Sequence, residues 1–221
     1  MEAAMQRVPE HPRDYSPTER FSDAIVHVTG LAAVAIGVPI LVVLAILIRG
    51  DTPAILGITV YGVALCAMIG FSALYHMVRH PNWTPIFRRL DHSAIYWKIA
   101  GTYTPFTLLS GHGAALLAGL WAAAMAGTGL RVLAPYRFRI VNLVLYPMMG
   151  WAGVVAGWSM FASLSAPVLG LAIAGGALYS VGMIFYLWER LPYHNTIWHV
   201  FVLIASMLFF AAITTHVVQT G

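Results

Sequence analysis

The chain has 221 residues, of which 60% are hydrophobic and only 9% charged, and its mean hydropathy is +0.79. Soluble domains carry about 25% charged residues, so this composition excludes an ordinary soluble protein and selects an integral membrane protein. The formal net charge is +4, but the basic residues are scattered over short loops rather than gathered in a patch. Membrane topology accounts for that excess, and nucleic acid is not an expected partner. The single cysteine, Cys66, lies in an apolar run, which leaves no disulfide framework. Met1 to Arg20 is polar and mixed in charge, without the short apolar core of a cleavable signal peptide.

Residues 1–18 hold Pro9, Pro12 and Pro17 among charges and are expected to form a flexible cytoplasmic tail. Glu19 to Asp23 reads as a short amphipathic lead-in. Apolar spans follow at 24–48, 54–77, 92–110, 113–133, 140–162, 165–187 and 196–218. Each is near the roughly 20 residues that a helix needs to cross the hydrocarbon core. The expected fold is therefore all-α: one domain over residues 19–221, a seven-transmembrane helix bundle. Its turns are marked by Arg49-Gly50-Asp51-Thr52-Pro53, Gly111-His112-Gly113 and Ser165-Ala166-Pro167. Between the third and fourth spans only Ser110-Gly111-His112-Gly113 interrupts the apolar run.

Charge fixes the expected orientation. Arg7, Arg13 and Arg20 precede the first span, and Arg79, Arg88 and Arg89 lie between the second and third. Arg131, Arg137 and Arg139 lie between the fourth and fifth, and Arg190 between the sixth and seventh. Arg49 alone falls on the opposite side. Positive charge stays inside, so the N-terminus is predicted to be cytoplasmic and the C-terminus outside. Ala115, Gly119, Ala123 and Gly127 recur four apart on the fourth span, as do Gly153 and Gly157 on the fifth, a spacing that favours close helix packing in lipid. Pro39, Pro105 and Pro147 sit inside spans, where they are expected to kink the helix.

Polar residues collect at the cytoplasmic ends. The first helix enters through Glu19, Asp23 and His27, spaced i, i+4, i+8 on one face. The second leaves through Ser72 and His76, the third enters through Asp91 and His92, and the seventh through His194, Asn195 and His199. Residues four apart lie about 40° apart around a helix, so Ser72 and His76 share a face, and His199 is expected at the depth of His76. Zinc accepts imidazole nitrogen and carboxylate oxygen, and a catalytic site keeps three protein ligands with an open position. Histidines at a membrane edge also bond headgroups and loop carbonyls, and spacing alone leaves both readings open.

Four segments carry a family resemblance: Ser72-Ala73-Leu74-Tyr75-His76, Arg89 to Tyr96, Ala100 to Phe106, and Thr196 to Leu203. Together, from Glu19 to about Thr215, they resemble the bacterial haemolysin III family, which is related to the progestin and adipoQ receptors and to the alkaline ceramidases. The resemblance implies seven helices, a zinc ion near the cytoplasmic face and a place in the bacterial inner (plasma) membrane. Its pattern, Ser-x-x-x-His, Asp and His-x-x-x-His, falls on Ser72 and His76, on Asp91, and on His199. One position departs from it. Asn195 stands four before His199, while His194 stands five before it, about 140° round a regular helix. A helix starting at Asn195, with Pro192 discouraging regular helix just before, would let His194 fold back onto the ion. Otherwise Asp91, Asn195 or a water completes the shell.

On this reading Zn²⁺ on His76, His199 and His194 activates water, Asp91 takes its proton, and Ser72 hydrogen-bonds the water or the developing oxyanion. By resemblance to the ceramidases, the reaction is hydrolysis of a sphingolipid-like amide. A zinc-stabilised sensor or homeostasis factor without turnover is the second reading. Membrane permeabilisation is the third, set against an apolar middle that offers no continuous polar stripe. Membrane lipids are the expected partners, and homo-oligomerisation is left open. Lys98 lies two turns beyond Asp91, where it could act on Asp91, bind a headgroup, or snorkel to the interface; Glu19, Asp23 and His27 could close the site from below.

Overall fold

A computed structural model describes residues 15–134 and 137–221, with the side chain of Arg139 also outside the description. The expected tail therefore falls largely outside the described residues. Every element among the described residues is an α-helix: α1 (Pro17–Ile48), α2 (Thr52–Met77), α3 (Thr84–Ser110), α4 (Ala114–Leu133), α5 (Arg139–Ala156), α6 (Trp158–Ser163), α7 (Ala166–Leu187) and α8 (His194–Gln219). Five of them (α1, α2, α4, α7 and α8) are long and apolar enough to cross a membrane.

The start of α1 follows from local chemistry. Ser16 accepts from the Glu19 amide at 3.2 Å, Glu19 returns a carboxylate to the Ser16 amide at 2.9 Å, and Pro17 sits in the first turn. This reciprocal cap satisfies two orphan donors, with a proline where a missing N–H costs nothing. It also starts the helix before Glu19, so the expected lead-in is simply the first turns of α1.

α3 is the hub. It packs along α2 and α4 and also reaches α5, α6 and α8, while α1 lies between α2 and α8 and brings the ends of the chain together. Being enclosed by protein, α3 can carry Arg88, Arg89, Asp91 and Lys98 without facing lipid with all of them. It begins at Thr84, two turns before the expected entry at 92, so Asp91 and His92 lie inside the helix. α2 and α3 touch almost backbone to backbone. A Cβ added to Gly101 would stand 2.7 Å from that of Ala64, and one on Gly57 would stand 2.9 Å from Pro105 Cα.

The turn from α3 to α4 runs through Gly111 and Gly113, both left-handed (φ 70° and 86°), a conformation that glycine adopts without steric cost. Pro39, Pro105 and Pro147 lie inside helices as expected. The expected fifth span is divided instead at Gly157, over which Leu116 packs so closely that a Cβ would meet its side chain at 2.6 Å. The small-residue face of α4 is only partly used. Gly127 lies against the Tyr96 ring, whereas a Cβ at Gly119 would meet nothing within 4 Å.

Candidate metal centre

Two polar residues one turn apart on α1 define the centre. Asp23 and His27 are buried, at 8% and 5% exposure, and face the ends of α2 and α8. One Asp23 oxygen lies 2.6 Å from His199 Nδ1, and the other lies 3.3 Å from His76 Nδ1 and 3.7 Å from His27 Nδ1. The rings close on one another. His199 stands edge-on to both His27 and His76 with centroids 4.5 Å apart, and His27 stacks on His76 at 5.3 Å. Three imidazoles from three helices thus surround one carboxylate.

Hydrogen bonding fixes ring orientation. A carboxylate only accepts, so His199 Nδ1 must carry the proton it shares with Asp23. His27 Nδ1 donates to the Asp23 carbonyl at 2.8 Å, so its Nε2, in the neutral ring, accepts from the Ser72 hydroxyl at 3.2 Å. His199 and His76 each turn Nδ1 toward Asp23 and keep Nε2 for a ligand, the arrangement that a neighbouring carboxylate imposes on metal-binding histidines, whereas both nitrogens of His27 are bonded within the protein.

The donor set suits a divalent ion. A carboxylate oxygen of Asp23 and ring nitrogens of His27 and His199 lie within 4.8 Å of one another, all three residues buried. Imidazole and carboxylate are zinc's ordinary ligands, and burial excludes competing water. The 2.6 Å contact is shorter than the roughly 3.3 Å between neighbouring ligands on a tetrahedral zinc with bonds near 2.0 Å, and marks a hydrogen bond rather than two ligands side by side.

The predicted residues divide. His76, His199 and Ser72 meet in this cluster. His194 opens α8, following Tyr193 in a left-handed conformation (φ 58°), and its Nε2 lies 3.0 Å from Tyr15 Oη. Asp91 sits 3.6 Å from His92 Nδ1, and the Tyr75 ring contacts both His92 and His76. Asn195 lines a cavity of about 50 Å³ with Asp23, His76, Arg79 and Tyr193. From the sequence, Asp23 and His27 could close the site from below. They are in it, and the i, i+4 spacing was the available signal.

Further bonds lock α1 to α8. The Tyr193 amide donates to Glu19 at 2.9 Å, and Ser22 Oγ meets Thr196 Oγ1 at 2.9 Å. The cap of α1 therefore also sets the entry of the helix that carries His199.

Comparison with known proteins agrees with this architecture. The profile of the family described as "Haemolysin-III related" matches residues 16–210. The chain is 40% identical over 208 residues to Hemolysin-3 of Bacillus cereus, covering 92% of this chain and 94% of the relative. It is 38% identical over 206 residues to the Hemolysin-3 homolog of Bacillus subtilis (strain 168), covering 91% and 95%. It is also 29% identical over 168 residues to the monocyte to macrophage differentiation factor of Homo sapiens, covering 70% and 67%. A membrane-type helical bundle and a profile match spanning most of the chain lead to one assignment: this protein belongs to the haemolysin III family.

Proposed function

We propose that the chain crosses the bacterial plasma membrane seven times, carries a zinc centre at its cytoplasmic end and hydrolyses an amide bond in a membrane lipid. The count of seven adds α3 and the divided α5–α6 pair to the five long apolar helices. The arginine asymmetry supports a cytoplasmic N-terminus. One observation carries the reading: three histidines and a carboxylate from α1, α2 and α8 converge in a buried cluster beside a cavity.

When bound, zinc supplies Lewis acidity at this point. Asp23 holds the His76 and His199 rings with their Nδ1 atoms toward itself, which leaves Nε2 as the ligand atom of each. Ser72, whose hydroxyl proton His27 accepts in the resting site, would turn that proton to a developing oxyanion, and Asp91 would be the proton acceptor. His194, beside Tyr15, is the candidate for a further ligand. The reaction class rests on the likeness to the ceramidases, and the lipid partner on the membrane setting.

Cavity size favours a second reading, a zinc centre that fastens α1, α2 and α8 without turnover. About 50 Å³ holds water but not an acyl amide. A permeabilising role, the property named in the two bacillary relatives, has less support, because the titratable cluster occupies one end of the bundle.

The test uses zinc-loaded protein in lipid nanodiscs against a panel of lipid amides and esters. Hydrolysis lost in Asp91→Asn with zinc retained supports the enzyme. Zinc-dependent stability without hydrolysis of any substrate supports the fastening role.

A further inference from the structure

We propose that Lys98, with the hydroxyls of Tyr61 and Tyr179, forms a binding site for a monovalent anion in the middle of the bundle. Lys98 does not snorkel. It is 3% exposed, and its ammonium lies 4.8 Å from the Phe209 ring centroid, 5.3 Å from that of Tyr179 and 5.7 Å from that of Tyr61. These rings come from α8, α7 and α2, so the cation is enclosed on several sides. Among the described residues its ammonium has no carboxylate or other acceptor, and Asp91, on the same helix, is two turns away, about 10 Å along the axis.

A second observation is independent of the lysine. Tyr61 is fully buried, and its hydroxyl has no hydrogen-bond partner in the protein. The rings of Tyr61 and Tyr179 both border the ammonium, and the Tyr179 hydroxyl bonds Ser206 at 2.6 Å. The Lys98 ammonium and the Tyr61 hydroxyl are thus two buried donors beside one another, with no carboxylate or carbonyl among the described residues bonded to either. Aromatic faces offset part of the cost of a desolvated ammonium but supply no lone pair. A water could bridge the two donors but would leave the positive charge uncancelled. An anion brings acceptors only and cancels the charge.

Two sources offer that chemistry: a halide from the aqueous phase, or the carboxylate head of an acyl chain entering from the bilayer. Their common property is a single negative charge with no protons to donate. The site shares no residue with the metal centre, so it stands or falls separately from zinc binding and hydrolysis.

The experiment is equilibrium binding to full-length protein in zwitterionic nanodiscs, with empty discs as background. One arm uses radiolabelled chloride; the other uses radiolabelled dodecanoate, with dodecanol as the neutral control. Saturable binding of either anion to the wild type is expected, weakened by about tenfold or more in Lys98→Met and retained within a few-fold in Lys98→Arg. Tyr61→Phe removes one hydroxyl only and should weaken binding a few-fold, which keeps the test alive if Lys98→Met fails to fold. Zinc content should be the same in every variant. The arm that saturates identifies the source. The proposal is overturned if neither anion binds saturably, if dodecanol binds as well as dodecanoate while chloride does not bind, or if Lys98→Met binds like the wild type.

Discussion

His199 and Asp23 are separated by 176 residues in the chain and by 2.6 Å in the fold. The contact joins the first and last helices through a buried carboxylate that also faces His76 and His27. Without that carboxylate the His199 and His76 rings would lose the acceptor that orients them.

Asp23→Ala is therefore expected to weaken zinc binding by about 10- to 100-fold while leaving the helix content unchanged. Asp23→Asn should recover only part of the loss, because one of its two oxygens becomes a donor facing a protonated Nδ1. Metal competition with a calibrated chelator, with circular dichroism as the folding control, reads both effects.

The α1 cap gives a graded prediction. Ser16→Ala removes one cap bond and should cost about 1 kcal/mol. Glu19→Ala loses the reciprocal bond to Ser16 and also the acceptor for the Tyr193 amide. Its thermal midpoint should fall further than that of Ser16→Ala, with faster amide exchange in the first turn of α8.

Helix contact can be tested with two glycines. Gly101→Ala brings a Cβ to 2.7 Å from that of Ala64, whereas Gly119→Ala points into open space. The first should destabilise by about 1–3 kcal/mol or more, and the second should be neutral or slightly stabilising. Equal effects in thermal unfolding would show that α2 and α3 are not in close contact.

At the opposite end, Arg49 pairs with Asp51 at 3.0 Å and also donates to the Thr220 carbonyl, tying the loop after α1 to the end of α8. The hydrogen bond from Arg49 holds the exposed Asp51 carboxyl below its ordinary range. A depressed folded-state value means the link contributes above the unfolded carboxylate value, about 4, and fades as pH falls through the folded one. Arg49→Ala should accelerate exchange in the last turn of α8 at pH 7, with the difference shrinking under acid and at high salt, and with zinc binding untouched.

The all-helical architecture was legible because lipid-facing residues must be apolar over a helix length, a signal that dominates composition. His76, Ser72 and His199 were legible through helical spacing and resemblance. Spacing puts Asp23 and His27 on one face of α1, from which they could close the site from below, but does not reveal which neighbouring helix that face meets. The adjacency of α1 and α8 is tertiary information. The start of α3 was misjudged because Arg88, Arg89 and Asp91 break its apolar run, although the surrounding helices shelter those charges. The three roles that sequence leaves open for Lys98 do not include its enclosure by aromatic rings, which come from other helices.

The most direct test of the central claim is elemental analysis of the protein purified without added metal, in wild type and in Asp23→Ala, His76→Ala, His199→Ala and His112→Ala. About one zinc per chain is expected in the wild type and in His112→Ala, whose histidine lies in the exposed turn after α3, and little in the other three. Absence of zinc from the wild type, or equal zinc in all five proteins, would contradict that claim.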